Sequence, residues 1–232
     1  MNISNASNLF NDKVVYDLQK FTHLDYPGHL ACIVWFSACN MRCDFCYNKD
    51  IVFAKSAKYS MNNVLEFLQN RIGLLEAVVL SGGEATLHKL KEFCIEIKKL
   101  GFLIKLDTNG THFELIKELV EAGLVDFFAI DYKAPQYKFK QITHSNKFFQ
   151  FSKTIDFIIH SQIEYEIRTT LHNDLLDVHD VNFIIEDLVV RGYTKTYYIQ
   201  KFKEGVNIGN LEDSLKKFSE ELLSKKLKIK WR

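Results

Sequence analysis

The run EAVVLSGGE, residues 76–84, has two halves: an apolar stretch from Glu76 to Leu80, then a polar, glycine-rich stop from Ser81 to Glu84. A short apolar run rich in valine and bounded by glycine predicts a buried strand. The same grammar recurs in LIKLDTNG (residues 103–110) and FFAIDYK (127–133). Further strands are predicted at Leu30–Phe36, Glu164–Leu171 and Lys195–Gln200. Helical stretches separate them. Ser60 is placed to cap one running to about Arg71, with Met61, Val64, Leu65 and Leu68 at helical spacing. Others are predicted over His88–Leu100, closed by Gly101, from Phe113 to before Gly123, over Asn146–His160 and over Val178–Val190. Strands alternating with helices imply an α/β fold with a parallel sheet and right-handed crossovers. Six such strands are fewer than a full eight-unit barrel, which takes about 250 residues, so the expectation is a partial (β/α)6 TIM-like barrel. A last helix near Leu211–Leu223 and a terminal strand, where Leu227, Ile229 and Trp231 alternate with charges, are predicted beyond it. Ser81, Asp107, Asp131, Arg168 and Gln200 are polar residues at or near the ends of the apolar runs. The carboxyl ends of parallel strands form the ligand face, which predicts one site built from several strand ends.

The chain has 232 residues, a length that suits a single domain. The barrel core is expected over about residues 30–200, with 1–20 as an N-terminal extension and 201–232 as a C-terminal helix and strand. Thirty basic and 29 acidic side chains leave a net charge of +1, which argues against a dedicated nucleic-acid binder. Met1–Asn11 is polar, without the basic start and apolar stretch of a secretory signal, and no run of eighteen apolar residues predicts a membrane helix. A cytoplasmic location follows as the expectation, where thiols stay reduced.

Three of the five cysteines, Cys39, Cys43 and Cys46, fall within eight residues in the spacing C-x3-C-x2-C. Three thiolates do not complete a tetrahedral zinc site, and iron–sulfur clusters normally take four. A three-cysteine loop would leave one iron open to a non-protein ligand. Structural zinc, with His23, His29 or His88 as a fourth ligand, and chance clustering both stay open on spacing alone. Cys32, inside an apolar strand, and Cys94, inside an amphipathic helix, read as inert buried thiols.

The loop CNMRCDFCYN, residues 39–48, resembles the signature of radical S-adenosylmethionine (SAM) enzymes. With Leu24–Gly28, Ser81–Glu84, Asp107–Gly110 and Asp131–Pro135 in order, the chain is similar to the glycyl-radical-enzyme activases, above all those of anaerobic ribonucleoside-triphosphate reductase. One departure is Tyr47, where such activases commonly have histidine. The resemblance implies a [4Fe–4S] cluster held by Cys39, Cys43 and Cys46, with SAM on its unique iron. Reductive cleavage of SAM would give a 5′-deoxyadenosyl radical that takes a hydrogen from a glycine Cα of the partner. It also implies a SAM site from Phe45 near the adenine, Gly82, Gly83 and Glu84 beside the methionine amino group, Asp107 and Asn109, Asp131 toward ribose, Lys133 and Arg168 toward the carboxylate, and Gln200. Asp107 has an alternative reading as a helix cap before Thr111. Asp25, Tyr26 and Gly28 would lie near the partner's glycyl loop. Cys32 and Cys94 cannot build a second cluster, so the electron donor would be external, a flavodoxin or ferredoxin. Two alternatives accompany this reading: the same chemistry on another glycyl radical enzyme or on a small molecule such as a deazapurine precursor, and a non-catalytic zinc-binding interaction module.

Overall fold

The computed structural model describes residues 10–232. These fall into two compact units, residues 10–40, 50–108 and 114–128 in the first, and 41–49, 109–113 and 129–232 in the second. Part of the expected N-terminal extension, residues 1–9, lies outside the described residues.

In the first unit the central strands are β2 (Ala31–Phe36), β4 (Ala77–Gly82) and β5 (Leu103–Thr108), parallel and in register, with Val34 beside Leu80 and Leu80 beside Leu106. Their apolar side chains are almost wholly buried, as strands covered on both faces require. Helix α1 (Met61–Gln69) starts at a capping box: Ser60 Oγ accepts from Asn63 N–H and Asn63 Oδ1 accepts from Ser60 N–H. Helix α2 (Leu90–Lys99) buries Phe93, Cys94 and Ile97, and α3 (Phe113–Glu121) buries Ile116 and Leu119.

The sequence reading missed two strands here. Residues 13–20, expected in an extension, open β1 (Lys13–Thr22), which pairs antiparallel with β2 and with the two-residue β3 (Tyr59–Ser60). The arrangement is therefore not parallel throughout. Only Val15 and Thr22 of β1 are fully buried, so the apolar signal of this strand is diluted.

The second unit holds the end of β6 (Phe127–Asp131), then β7 (Glu164–Leu171), β8 (Tyr197–Lys201) and β9 (Ile229–Trp231), the last three mutually parallel. Helices α4 (Gln136–Thr143), α5 (Phe148–His160) and α6 (Val178–Val190) flank them. The aromatic centre is Tyr132, Phe139 and Phe151, with Tyr132 edge-on to Phe151 at 4.9 Å. β9 confirms the half-buried terminal strand: Ile229 and Trp231 are partly covered and Lys230 is exposed.

The helix expected at Leu211–Leu223 is corrected. Only a single 3₁₀ turn forms, at Glu220–Leu222. Backbone groups that a helix would pair internally are taken elsewhere. His172 Nε2 meets Glu212 O at 2.8 Å, Asn173 Nδ2 donates to Lys216 O, and Asn207 Nδ2 donates to Leu211 O. Among the described residues no helix is long and apolar enough to cross a membrane.

Candidate active site

In the first unit, β2 runs out into Ser37, Ala38 and Cys39 beside the Ser81–Glu84 turn. Gly83 N–H donates to Phe36 O (2.8 Å) and Glu84 N–H to Ala38 O (2.9 Å). The two glycines are required by this approach. A Cβ on Gly82 would stand 2.4 Å from Phe36 N, and one on Gly83 would stand 1.8 Å from Ala38 O. Ala38 itself holds a left-handed φ of 66°, uncommon for a residue with a Cβ, immediately before the first clustered cysteine.

Glu84 is buried, and its Oε1 accepts from Thr86 N–H, Thr86 Oγ1 and Thr108 Oγ1. It thereby joins the end of β4 to the end of β5. Asp107 accepts from Ser81 Oγ (3.2 Å) and pairs with Lys105 Nζ (3.1 Å). Asn109 Oδ1 accepts Thr111 N–H at 3.1 Å in the turn that follows β5.

The sequence reading missed Lys105. Its ammonium is buried, donates to Asp25 O at 2.5 Å and lies 5.9 Å from the Phe127 ring. The available signal was a lysine inside an apolar strand, two residues from Asp107 and so on the same face. Its partner Asp25 belongs, with Tyr26 and Gly28, to the segment ahead of β2. They lie at the turn before β2, at the opposite end of a six-residue strand from Cys39, about 20 Å along it. Tyr26 packs on Ala31, Ile33, Ala77 and Val79 and closes the amino end of these strands.

In the second unit, Cys43, Asp44, Phe45 and Cys46 form a turn in which Cys46 N–H donates to Cys43 O (2.9 Å), so two of the three thiols stand at its two ends. Arg42 and Asp44 donate backbone N–H bonds to Thr143 O and Ile142 O, satisfying orphan carbonyls at the end of α4. His144 Nε2 meets Asp44 Oδ1 at 2.8 Å. Phe45 is buried, with Lys133 Nζ 5.6 Å from its ring centroid.

Asp131 and Lys133 share a face as expected, and pair with one another at 2.9 Å. Arg168 Nε donates to Asp131 Oδ1 at 2.5 Å. Glu166, two residues before Arg168, lies 3.9 Å from its guanidinium and takes a bidentate pair from Arg232, both bonds 2.9 Å. Three cations thus meet two carboxylates, an excess of one positive charge. Burial alone would raise the Asp131 pKa, but Arg168 and Lys133 overcome it and hold the carboxyl at about 2. Burial alone would discharge Lys133; Asp131 and then the Cys43 and Cys46 sulfurs hold its pKa above the ordinary lysine value. Gln200 stands beside Thr170 in register, on the face that carries Arg168.

Cys39 belongs to the first unit and Cys43 and Cys46 to the second, and among the described residues of each unit no three metal-ligating side chains are gathered. None of the five cysteines forms a disulfide. Cys32 and Cys94 match their expected inertness: both are buried, and burial pushes their thiols up to about 12. Of the histidines weighed as zinc ligands, His88 Nε2 meets Ser37 O at 2.9 Å and His29 meets Glu76 at 3.2 Å.

Residues 33–181 match the family model of the radical SAM superfamily. The chain is 35% identical over 175 residues to a protein of Methanocaldococcus jannaschii provisionally named a glycyl-radical enzyme activating enzyme, covering 69% of each chain. Among solved structures it is similar to Streptococcus suis SuiB bound to S-adenosylmethionine (TM-score 0.64, 10% identity, 86% of this chain and 51% of that one). It is also similar to anSMEcpe with bound AdoMet (TM-score 0.59, 18% identity, 72% and 50%). The chain spans about half the length of these structures, and the likeness gives the fold, an α/β partial TIM-like barrel.

Proposed function

The chain belongs to the radical SAM superfamily, and on that premise we propose that it activates a glycyl radical enzyme, abstracting a glycine Cα hydrogen from its partner. Membership makes it an enzyme that uses a [4Fe–4S] cluster and SAM, which removes the zinc-module alternative. The observation that carries the activase reading is the M. jannaschii relative, 35% identical over two thirds of both chains.

The donor set suits the cluster. Three soft thiolates, two of them at the ends of one tight turn, leave one iron for a non-protein ligand. Cys39, Cys43 and Cys46 are the proposed ligands. When bound, the pair of cofactors supplies a carbon radical able to take an unactivated hydrogen. The protein's part is binding and exclusion of water. The surplus positive charge around Asp131 and Glu166 suits the SAM carboxylate, with Lys133 and Arg168 as its proposed partners. Phe45 offers an aromatic face to the adenine. The Gly82–Gly83 backbone, Glu84, Asp107 and Asn109 complete the proposed pocket, with Glu84 and Asn109 bracing its turns, and Gln200 reaches toward the nucleoside. The single domain has its barrel core over about residues 30–200.

The partner we propose is anaerobic ribonucleoside-triphosphate reductase, with a flavodoxin or ferredoxin as electron donor, in the cytoplasm. The test mixes reconstituted, reduced protein, SAM and the purified reductase without oxygen. A glycyl EPR doublet is expected. Its absence, with SAM cleavage intact, overturns this partner; turnover of a small molecule without any partner overturns the activase reading.

A further inference from the structure

Tyr47, the residue after the last clustered cysteine, is gripped by a distant part of the chain. The irregular segment 202–211, which follows β8, lies along the cysteine loop. Tyr47 Oη accepts Lys203 N–H, and its ring lies 5.4 Å from that of Phe202. Ile208 N–H donates to Cys46 O (3.2 Å) and Gly209 N–H to Asp44 O (2.8 Å). Gly209 is needed for that approach, since a Cβ there would stand 2.7 Å from Asp44 Cβ. The segment fixes its own bend through buried Asn207, whose amide bonds Gly205 O and both backbone groups of Leu211. The opposite side of the loop is held by the end of α4, through Arg42, Asp44 and His144. Cys43 and Phe45, between these supports, are 5% and 3% exposed.

We propose that the 202–211 segment is a fixed cover of the cluster site, and that Tyr47 is the positioning residue that fastens it, closing one side of the cysteine loop to solvent. This rests on the reading of Cys43 and Cys46 as cluster ligands. The shell around a metal site governs solvent access, and solvent access governs both its redox potential and its exposure to oxidants. Water let in at this side would favour the more negatively charged reduced cluster and move the midpoint potential upward.

The experiment compares the full-length protein with Tyr47→Phe, which keeps the ring and removes the acceptor oxygen, with Tyr47→Ala and with Gly209→Ala. Iron and sulfide per chain are measured after anaerobic reconstitution, then the rate at which the brown absorbance bleaches in air, and the midpoint potential. In the iron-free proteins, trypsin cleavage after Lys203 reports whether the cover is fastened. Equal iron loading is expected, with bleaching several-fold faster in Tyr47→Ala and Gly209→Ala, a smaller effect in Tyr47→Phe, a raised potential, and faster cleavage after Lys203. Should Gly209→Ala not fold, the two Tyr47 variants decide the matter. Bleaching, potential and cleavage all at wild-type values in fully loaded variants would overturn the cover and leave the cluster reading standing. A wild-type protein that takes up no iron overturns both.

Discussion

Asp131 is the residue on which the charge balance of the second unit turns, because two cations, Lys133 and Arg168, lean on its one carboxylate. Its pKa of about 2 lies below the roughly 3.9 of an unfolded aspartate. A depressed carboxylate stabilises the fold fully above the unfolded value and loses that contribution as pH falls through the folded one, here between about pH 4 and pH 2. Urea unfolding should therefore show wild type losing about 2 kcal/mol relative to Asp131→Asn between pH 5 and pH 2. A gap independent of pH would mean that the carboxylate is not held ionised by its neighbours. At this scale the sequence was readable where chemistry is dense. The period-two spacing put Asp131 and Lys133 on one face, and an arginine within an apolar strand demanded a buried partner. Arg232 as the partner of Glu166 was not readable, since 66 residues separate the two and only the pairing of β9 on β8 brings them together.

Among the elements, the turn after β4 sets the tightest steric demand. Gly83→Ala would drive a methyl group into the Ala38 carbonyl, rigid backbone that cannot swing aside. Overpacking of this kind costs about 1–3 kcal/mol or more, so a lowered urea midpoint is expected, together with weaker SAM binding by calorimetry. Unchanged stability would show that the Ala38 backbone does not rest against this turn. The central strands were legible because continuous apolar runs stopped by glycine and acidic residues have few other readings. β1 escaped because most of its side chains are exposed or only partly covered, which dilutes the apolar pattern. The 211–223 segment misled because its apolar spacing imitates a helix, while Asn207, His172 and Asn173 draw off the backbone groups such a helix would need.

For the molecule as a whole, a group bound only by the native state adds its binding free energy to stability. Removing iron with a chelator should lower the Tm by several degrees under anaerobic conditions, followed by differential scanning fluorimetry. Cys43→Ala should unfold at the iron-free temperature with or without chelator; a chelator-dependent Tm in that variant would count against Cys43 as a ligand. A different hazard faces the outer edge of the first unit. Beyond Val15 no strand pairs with the far side of β1 among the described residues. That edge is interrupted by register shifts between Val15 and Asp17 and between Gln19 and Thr22, and it carries Asp17 and Lys20. Kinks and charges of this kind discourage another copy of the chain from adding its own strand. Replacing Asp17 and Lys20 together by valine should leave the fold intact and produce concentration-dependent oligomers in analytical ultracentrifugation; a variant that stayed as dispersed as wild type would assign that protection to the kinks alone. β1 thus acts as a guard against self-templated aggregation, a duty separate from any chemistry at the strand ends.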